Sequence, residues 1–266
     1  MGKKILVVDN DQFMLTFMED LLTEHGHEVL AASDGLSALE ILKEYVPDII
    51  FVDRIMPNIS GDKLCRIIRS TPRLQHTYLA VVSATVAEEP THFADLGADT
   101  AIAKGPLDQM SATVLEAVNQ TGQTSLRSLE ETVQQAPGTH QRRITRELLS
   151  VQRHLQTILN NISEGVLELN IEGKVIFANN IALSLFGGFE TNVLGHLFTD
   201  LFDESNQKKI QDLLAEIGSG RPEITDPFVV RLNHNTISLK ILPVEDNLAW
   251  SVIVIAVPLN RNATRP

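Results

Sequence analysis

The chain has 266 residues, 43% of them hydrophobic and 21% charged, with 22 Lys and Arg against 34 Asp and Glu and a net charge of −12. That length accommodates about two domains of roughly 100 to 200 residues, and the acidic balance argues against non-specific nucleic-acid binding, which rests on neutralising phosphates with Lys and Arg. One thiol, Cys65, excludes an internal disulfide and a thiolate cluster for zinc or an iron–sulfur centre. No apolar run approaches the roughly 18 residues of a membrane span, and Ile5 to Val8 is stopped by Asp9, too short for a signal-peptide core, so the chain reads as cytoplasmic.

From the N-terminus, short apolar runs alternate with helical patterns. Ile5 to Val8, Glu28 to Ala32, Asp48 to Val52, Tyr78 to Val82 and Thr100 to Ala103 read as strands. They are mostly apolar without alternation, as strands covered on both faces must be, and five such repeats predict an α/β fold with a doubly wound, five-stranded parallel sheet. Ligands in that architecture sit at the carboxyl ends of the strands. Residues 1–121 carry 9 basic and 18 acidic side chains, so much of the negative charge belongs to this half.

A polar stretch follows, with Thr121 to Ser125, a short helical piece at Leu126 to Val133, then Ala136-Pro137-Gly138, and residues 122–143 read as a linker. Over residues 144–162, Ile144, Leu148, Val151, Leu155, Ile158 and Ile162 are spaced 4, 3, 4, 3, 4 along one helix face. Such a seam suits either a parallel dimer helix or a helix packed on its own neighbouring domain. Residues 163–260 then form strand pairs joined by turns. Val166 to Leu169 and Lys174 to Phe177 flank Glu172-Gly173, a hairpin signal. Helical segments at Asn180 to Phe186 and Gln207 to Ile217 precede three more strands, Pro227 to Leu232, Thr236 to Leu242 and Ala249 to Val257. This second unit is α+β with an antiparallel five-stranded sheet.

In the first half, polar residues fall at strand ends in an ordered set: Asp9-Asn10-Asp11 after the first strand, Asp53 after the third, Ser83 after the fourth and Lys104 after the fifth. Each alone is ordinary, an Asp as a turn former or helix cap and a Lys as a solvated charge. Together they describe a site. Carboxylates converging in one crevice repel unless a divalent cation is bound, and hard oxygen donors suit Mg²⁺. A phosphoryl group accepted by an aspartate then needs the metal, a hydroxyl and an ammonium around its oxygens.

Residues 1–121 resemble the receiver domain of two-component response regulators. The resemblance rests on Ile5-Leu6-Val7-Val8-Asp9, on Asp48 to Asp53 followed by Arg54-Ile55-Met56-Pro57 and Gly61, on Val81-Val82-Ser83-Ala84, and on Leu96-Gly97-Ala98-Asp99 leading to Lys104. It implies that Asp53 is phosphorylated by a histidine kinase or phosphotransfer protein and that Asp9, Asn10, Asp53 and the backbone carbonyl of Ile55 hold Mg²⁺. Ser83 would bind phosphoryl oxygens and Lys104 would pair with the phosphate. Three positions depart from the pattern. Asn10 stands where a second acidic residue is usual, Ala101 where a switching aromatic is usual, and Gly105-Pro106 replaces the Pro that commonly follows the lysine. The neutral amide at Asn10 implies weaker metal binding, with Asp11 a conceivable substitute.

Residues 151–258 resemble a PAS domain, through Leu155 to Val166, Asn170 to Asn179 and Leu194-Gly195-His196. That resemblance implies a sheet cupping a small pocket or a dimer interface, with no obligatory cofactor. A flavin–thiol photosensor is excluded because Cys65 lies in the other half. Haem would need His196 or His234 as axial ligand. Trp250, Phe177, Phe186 and Phe228 are candidates for a pocket lining or, more simply, for core.

The expected protein is a non-enzymatic response regulator that signals through its PAS domain and forms a homodimer through the 144–162 helix, with no nucleic acid or membrane partner. Two alternatives remain. One is a pseudo-receiver scaffold independent of phosphorylation. The other is a haloacid-dehalogenase-type aspartyl-phosphate phosphatase, for which Asp9-Asn10-Asp11 supplies an Asp-x-Asp pair but which leaves the Asp53 segment unexplained.

Overall fold

The structure is a computed structural model that describes residues 2–84, 95–121, 151, 154–218, 226–232, 235–245 and 250–259. The chain divides between residues 151 and 152 into two compact units. The whole expected linker 122–143, the seam positions Ile144 and Leu148, and His234 lie outside the described residues.

In the first unit the order is β1 (Lys4–Val8), α1 (Gln12–Glu24), β2 (Glu28–Ala32), α2 (Gly35–Leu42), β3 (Ile49–Asp53), α3 (Gly61–Ser70), β4 (Tyr78–Ser83), β5 (Thr100–Ala103) and α4 (Leu107–Gln120). The strands pair in parallel in the order β2-β1-β3-β4-β5. The chain begins at β1, steps outward to β2, then returns across β1 to β3, so the sheet order reverses between β1 and β3. The loops after those two strands therefore diverge and leave a crevice at their carboxyl ends. Helices on both faces explain the unbroken apolar runs, since every residue of β3 is buried. On one face Ile5, Val7, Phe51, Val82 and Ile102 pack with Leu15, Met18 and Leu22 of α1 and with Met110 and Val114 of α4. Each such side chain contributes roughly 1.5–3 kcal/mol of transfer free energy.

Local chemistry sets the ends of the elements. The Asp11 carboxylate accepts from the Phe13 N–H at 2.9 Å and caps α1, and Asp34 caps α2 by accepting from Ser37 N–H at 2.8 Å. β3 and β4 each run one residue further than the apolar pattern suggests and end on Asp53 and Ser83. Both side chains are thereby held by the sheet and not by a loop.

The second unit contains a helix over residues 154–161, β6 (Gly165–Asn170), β7 (Val175–Ala178), α5 (Asn180–Phe186), α6 (Glu190–Val193), a 3-10 turn at Phe198–Leu201, α7 (Glu204–Gly218), β8 (Phe228–Leu232), β9 (Asn235–Glu245) and β10 (Trp250–Pro258). Its sheet is antiparallel, in the order β7-β6-β10-β9-β8. The β6–β7 hairpin turns where the Asn170 carbonyl group of the side chain accepts from Glu172 N–H at 3.1 Å and Lys174 N–H at 2.9 Å, with Gly173 at φ 78°.

Three phenylalanines pack against one another in this unit. Phe186, Phe198 and Phe202 form a cluster with ring centroids 5.0 to 5.7 Å apart, packed edge-on or tilted. Phe186 is therefore core, and its partners Phe198 and Phe202 come from a turn that no periodic pattern marks. Phe228 lies under the Lys209 ammonium, 4.7 Å from the ring centroid. Asn179 is the buried polar centre of this unit, only 1% exposed. Its side-chain oxygen accepts from Val166 N–H at 3.0 Å and Ala182 N–H at 2.9 Å, and its amide nitrogen donates to Leu159 O at 2.8 Å and Glu164 O at 2.9 Å.

Candidate functional site

At the carboxyl edge of the parallel sheet, Asp9 follows β1 and Asp53 ends the neighbouring β3, and both are buried, 4% and 7% exposed. Lys104, after β5, reaches back to both. Its Nζ lies 2.7 Å from Asp9 Oδ2 and 3.1 Å from Asp53 Oδ1. Ser83 ends β4 beside them, fully buried, and its carbonyl accepts from the Lys104 N–H at 3.0 Å. The other Asp9 oxygen accepts from Asp11 N–H at 2.9 Å. Asn10 is exposed, but one end of its amide lies 2.9 Å from the Ile55 carbonyl oxygen and 3.3 Å from Asp53 Oδ2. Both neighbours are acceptors: the amide nitrogen would donate to each, and the amide oxygen would join them around a cation.

Two carboxylates thus share one ammonium, and the local sum is negative. Burial pushes the Asp53 carboxyl up to about 6, against the pull of Lys104 and with the help of the Asp9 charge. Burial opposes the ammonium of Lys104 too, but Asp53 and Asp9 outweigh it and hold that group above its ordinary value. The arrangement keeps a buried carboxylate close to its ionisation point beside a permanent cation. The remaining oxygens, from Asp9, Asp53, Ile55 and the Asn10 side chain, are hard donors of the type Mg²⁺ takes, and their chemistry fits that ion with one donor neutral. Among the described residues no group of three or more His, Cys, Asp or Glu converges, so a cation here would depend on carbonyl and amide oxygens as well as carboxylates.

Residues 5–115 match the family of response regulator receiver domains. The first unit is a receiver domain. Residues 159–257 match the PAS fold, in keeping with the antiparallel sheet of the second unit. The receiver domain is 36% identical over 86 residues to the uncharacterized transcriptional regulatory protein YrkP of Bacillus subtilis, covering 32% of this chain and 37% of that protein. It is 32% identical over 104 residues to the alkaline phosphatase synthesis transcriptional regulatory protein PhoP of the same organism, covering 39% of this chain and 43% of that one. The chain thus spans less than half the length of these curated relatives. Among solved structures, the response regulator domain of Thermotoga maritima CheB is 27% identical with a TM-score of 0.42, covering 46% of this chain and 96% of that one. The phosphorylated cyanobacterial phytochrome response regulator RcpA is 24% identical with a TM-score of 0.43, covering 47% and 97%.

The receiver domain separates the residues that share its acidic pocket from those that shape it. Asp11 is exposed and caps α1 through Oδ1. Ala101 is buried in β5 opposite Val81. The Leu96 to Asp99 motif is a clamp. Arg69 donates to Gly97 O at 2.5 Å and Thr77 O at 2.7 Å and pairs with Asp99 at 2.6 Å, while Asp99 also accepts from Leu79 N–H at 2.7 Å. Gly61 of the Met-Pro segment is required by space, because a Cβ there would overlap the Asp53 carbonyl oxygen and the Arg54 backbone. Nothing in the spacing singles out Arg54, whose side chain is 2% exposed and pairs with Asp62 at 3.1 Å immediately behind Asp53. Cys65 is fully buried, and burial pushes its thiol up to about 12, which removes it from thiolate chemistry.

In the PAS unit, His196 is exposed, with a ring nitrogen 3.3 Å from Thr191 O, and stands outside the packed interior that a haem would occupy. No described helix is long and apolar enough to cross a membrane.

Proposed function

We propose that this chain is a cytoplasmic two-component response regulator in which Asp53 accepts a phosphoryl group from a histidine kinase or phosphotransfer protein, and that it signals through protein contacts of its PAS domain. The observation that carries this reading is the convergence of Asp9, Asp53 and Lys104, with Ser83 beside them, at the carboxyl ends of adjacent strands. The Asp53 carboxylate attacks phosphorus, a P–O bond forms as the P–N bond to the donor imidazole breaks, and the imidazole leaves. Lys104 and the Ser83 hydroxyl neutralise phosphoryl oxygens. Asp9, Asp53, Ile55 O and the Asn10 amide oxygen would hold Mg²⁺, which supplies positive charge against the incoming phosphoryl oxygens. Only ionised Asp53 is a nucleophile, and a bound cation would favour that ionised form against the burial that opposes it. The phosphorylated domain acts by shifting a population of conformations and not by turnover.

Dimerisation through the helix before the PAS sheet is part of the same reading. Leu155 and Ile158 are 54% and 48% exposed, apolar positions that a second copy would cover. Intact-mass spectrometry after incubation with phosphoramidate and Mg²⁺ tests the central claim. One phosphoryl adduct on wild type and none on Asp53→Asn is expected, and labelling that survives the substitution would move the acceptor elsewhere. A phosphorylation-independent scaffold is the second reading, favoured by neutral Asn10. Absence of any adduct on folded wild type would select it.

A further inference from the structure

The guanidinium of Arg54 is buried directly after the acceptor. Its side chain is 2% exposed, and its Nε donates to Asp62 Oδ1 at 3.1 Å. Burying such a charge gains little net stability even when it is paired, because desolvation offsets the attraction. Its use has to be sought in what the pair holds.

The pair closes a loop. Residues 54–62 leave β3 and enter α3, and the two ends meet twice. The Gly61 N–H donates to the Arg54 carbonyl at 3.0 Å, and the Arg54 and Asp62 side chains join alongside. Gly61 has no room for a Cβ between the Asp53 carbonyl oxygen and the Arg54 Cα, so the ends are in contact. Inside the loop Met56 and Ile59 are buried, and Asn58 takes a φ of 61°, a left-handed conformation that side chains seldom adopt. Ile55 stands between these anchors, with its carbonyl oxygen 2.9 Å from one end of the Asn10 amide and open to the pocket. The Arg54 backbone N–H, one residue earlier, favours the ionised Asp53 carboxyl. Two groups that serve the acceptor therefore come from the first two residues of a loop whose ends the pair joins.

We propose that Arg54 and Asp62 are positioning residues for phosphoryl acceptance: their ion pair is a clasp that keeps the loop closed, and so holds the Ile55 carbonyl oxygen toward the cation and the Arg54 N–H toward Asp53. This rests on the reading of the pocket as a Mg²⁺-dependent acceptor site. The clasp acts through the main chain and not by contact with the phosphoryl group, as partners behind metal ligands do when they orient a ligand.

A role in stability alone and a role in positioning separate when both charges go at once. Arg54→Met combined with Asp62→Leu removes the pair and retains apolar bulk, an exchange that is often neutral for stability. The experiment compares the full chain as wild type, as that double variant and as Asp62→Asn. The readouts are the receiver melting temperature, hydrogen exchange of the Gly61 amide without metal, Mg²⁺ affinity by calorimetric titration, and the rate of adduct formation from phosphoramidate at fixed Mg²⁺. The double variant is expected to melt near wild type, to exchange the Gly61 amide faster and to bind Mg²⁺ about tenfold or more weakly, with adduct formation slowed alongside. Asp62→Asn keeps an acceptor for the Arg54 Nε and should fall between the two, and it decides the matter if the double variant does not fold.

Gly61 exchange and Mg²⁺ affinity equal to wild type in the folded variants overturn the clasp while leaving the site intact. So does a lower receiver melting temperature with Mg²⁺ affinity unchanged, which assigns the pair to stability alone. A wild type that takes up neither Mg²⁺ nor a phosphoryl group overturns the reading of the pocket and the positioning role with it, whatever the Gly61 exchange shows.

Discussion

In the receiver sheet β3 buries all five of its residues, whereas β6 of the PAS sheet alternates, with Gly165, Leu167 and Leu169 buried and Val166, Glu168 and Asn170 only partly so. The parallel sheet is covered on both faces by helices, so polar chemistry has nowhere to go but the strand ends, and Asp9, Asp53, Ser83 and Lys104 collect there. The antiparallel sheet packs one face on Phe186, Phe198 and Phe202 and keeps a second face. Along that face Ile253 and Ile255 of β10 stand opposite Leu242 and Lys240 of β9 and Glu168 and Val166 of β6. One unit concentrates its specificity at a point, the other spreads it over a surface.

If the two units are independent in stability, a cavity in one should leave the other unchanged. Phe198→Ala, at a fully buried ring with two aromatic neighbours, should destabilise the PAS unit by about 3–5 kcal/mol. Calorimetry should show that transition falling or vanishing while the receiver transition stays, and a joint shift would mean that the units melt as one.

The opposite sign is expected at the reactive point. The Asp53 carboxyl, near 3.8 when unfolded, is pushed up to about 6 in the fold, so its neutral form is favoured by folding. Its ionisation costs stability progressively as pH rises through about 6, on the order of 2–3 kcal/mol once complete. Without divalent cations, Asp53→Asn should match wild type near pH 4 and exceed it in receiver melting temperature above pH 7. An equal difference at both pH values would show that ionisation is not the cause. Gly61→Ala should lower the same transition by roughly 1–3 kcal/mol, because the added methyl displaces the backbone that holds Asp53. Its phosphoryl acceptance from phosphoramidate should fall alongside, and unchanged acceptance would show that the strand end tolerates the shift.

The smallest effect on folding belongs to the surface. Leu155→Glu, at a side chain 54% exposed, should change stability by under about 0.5 kcal/mol and yet dissociate the dimer in sedimentation. A profile identical to wild type would remove that helix from the interface.

The strand ends were legible in the sequence because each depends on local rules: an apolar run, a polar residue where it stops, a glycine where the backbone must approach. The parallel sheet followed from five apolar runs alternating with helical patterns, and the antiparallel one from the change in periodicity at Gly165; the strand order did not follow from either. What escaped detection depends on distant partners. Arg69 is an unremarkable helix residue until Gly97 and Asp99 arrive from the far side of β4. Phe198 and Phe202 sit in a turn without period, so their burial was invisible. The closeness of the Asn10 amide to the Ile55 carbonyl oxygen likewise joins positions that are distant in the chain.

Asn179 ties the last turn of the helix at 154–161 to the start of β6 and of α5 with all four of its short hydrogen bonds made inside the protein. Displacing the helix would strip this buried amide of its Leu159 partner, a loss costing about 1–3 kcal/mol, so the helix is pinned to the sheet that follows it.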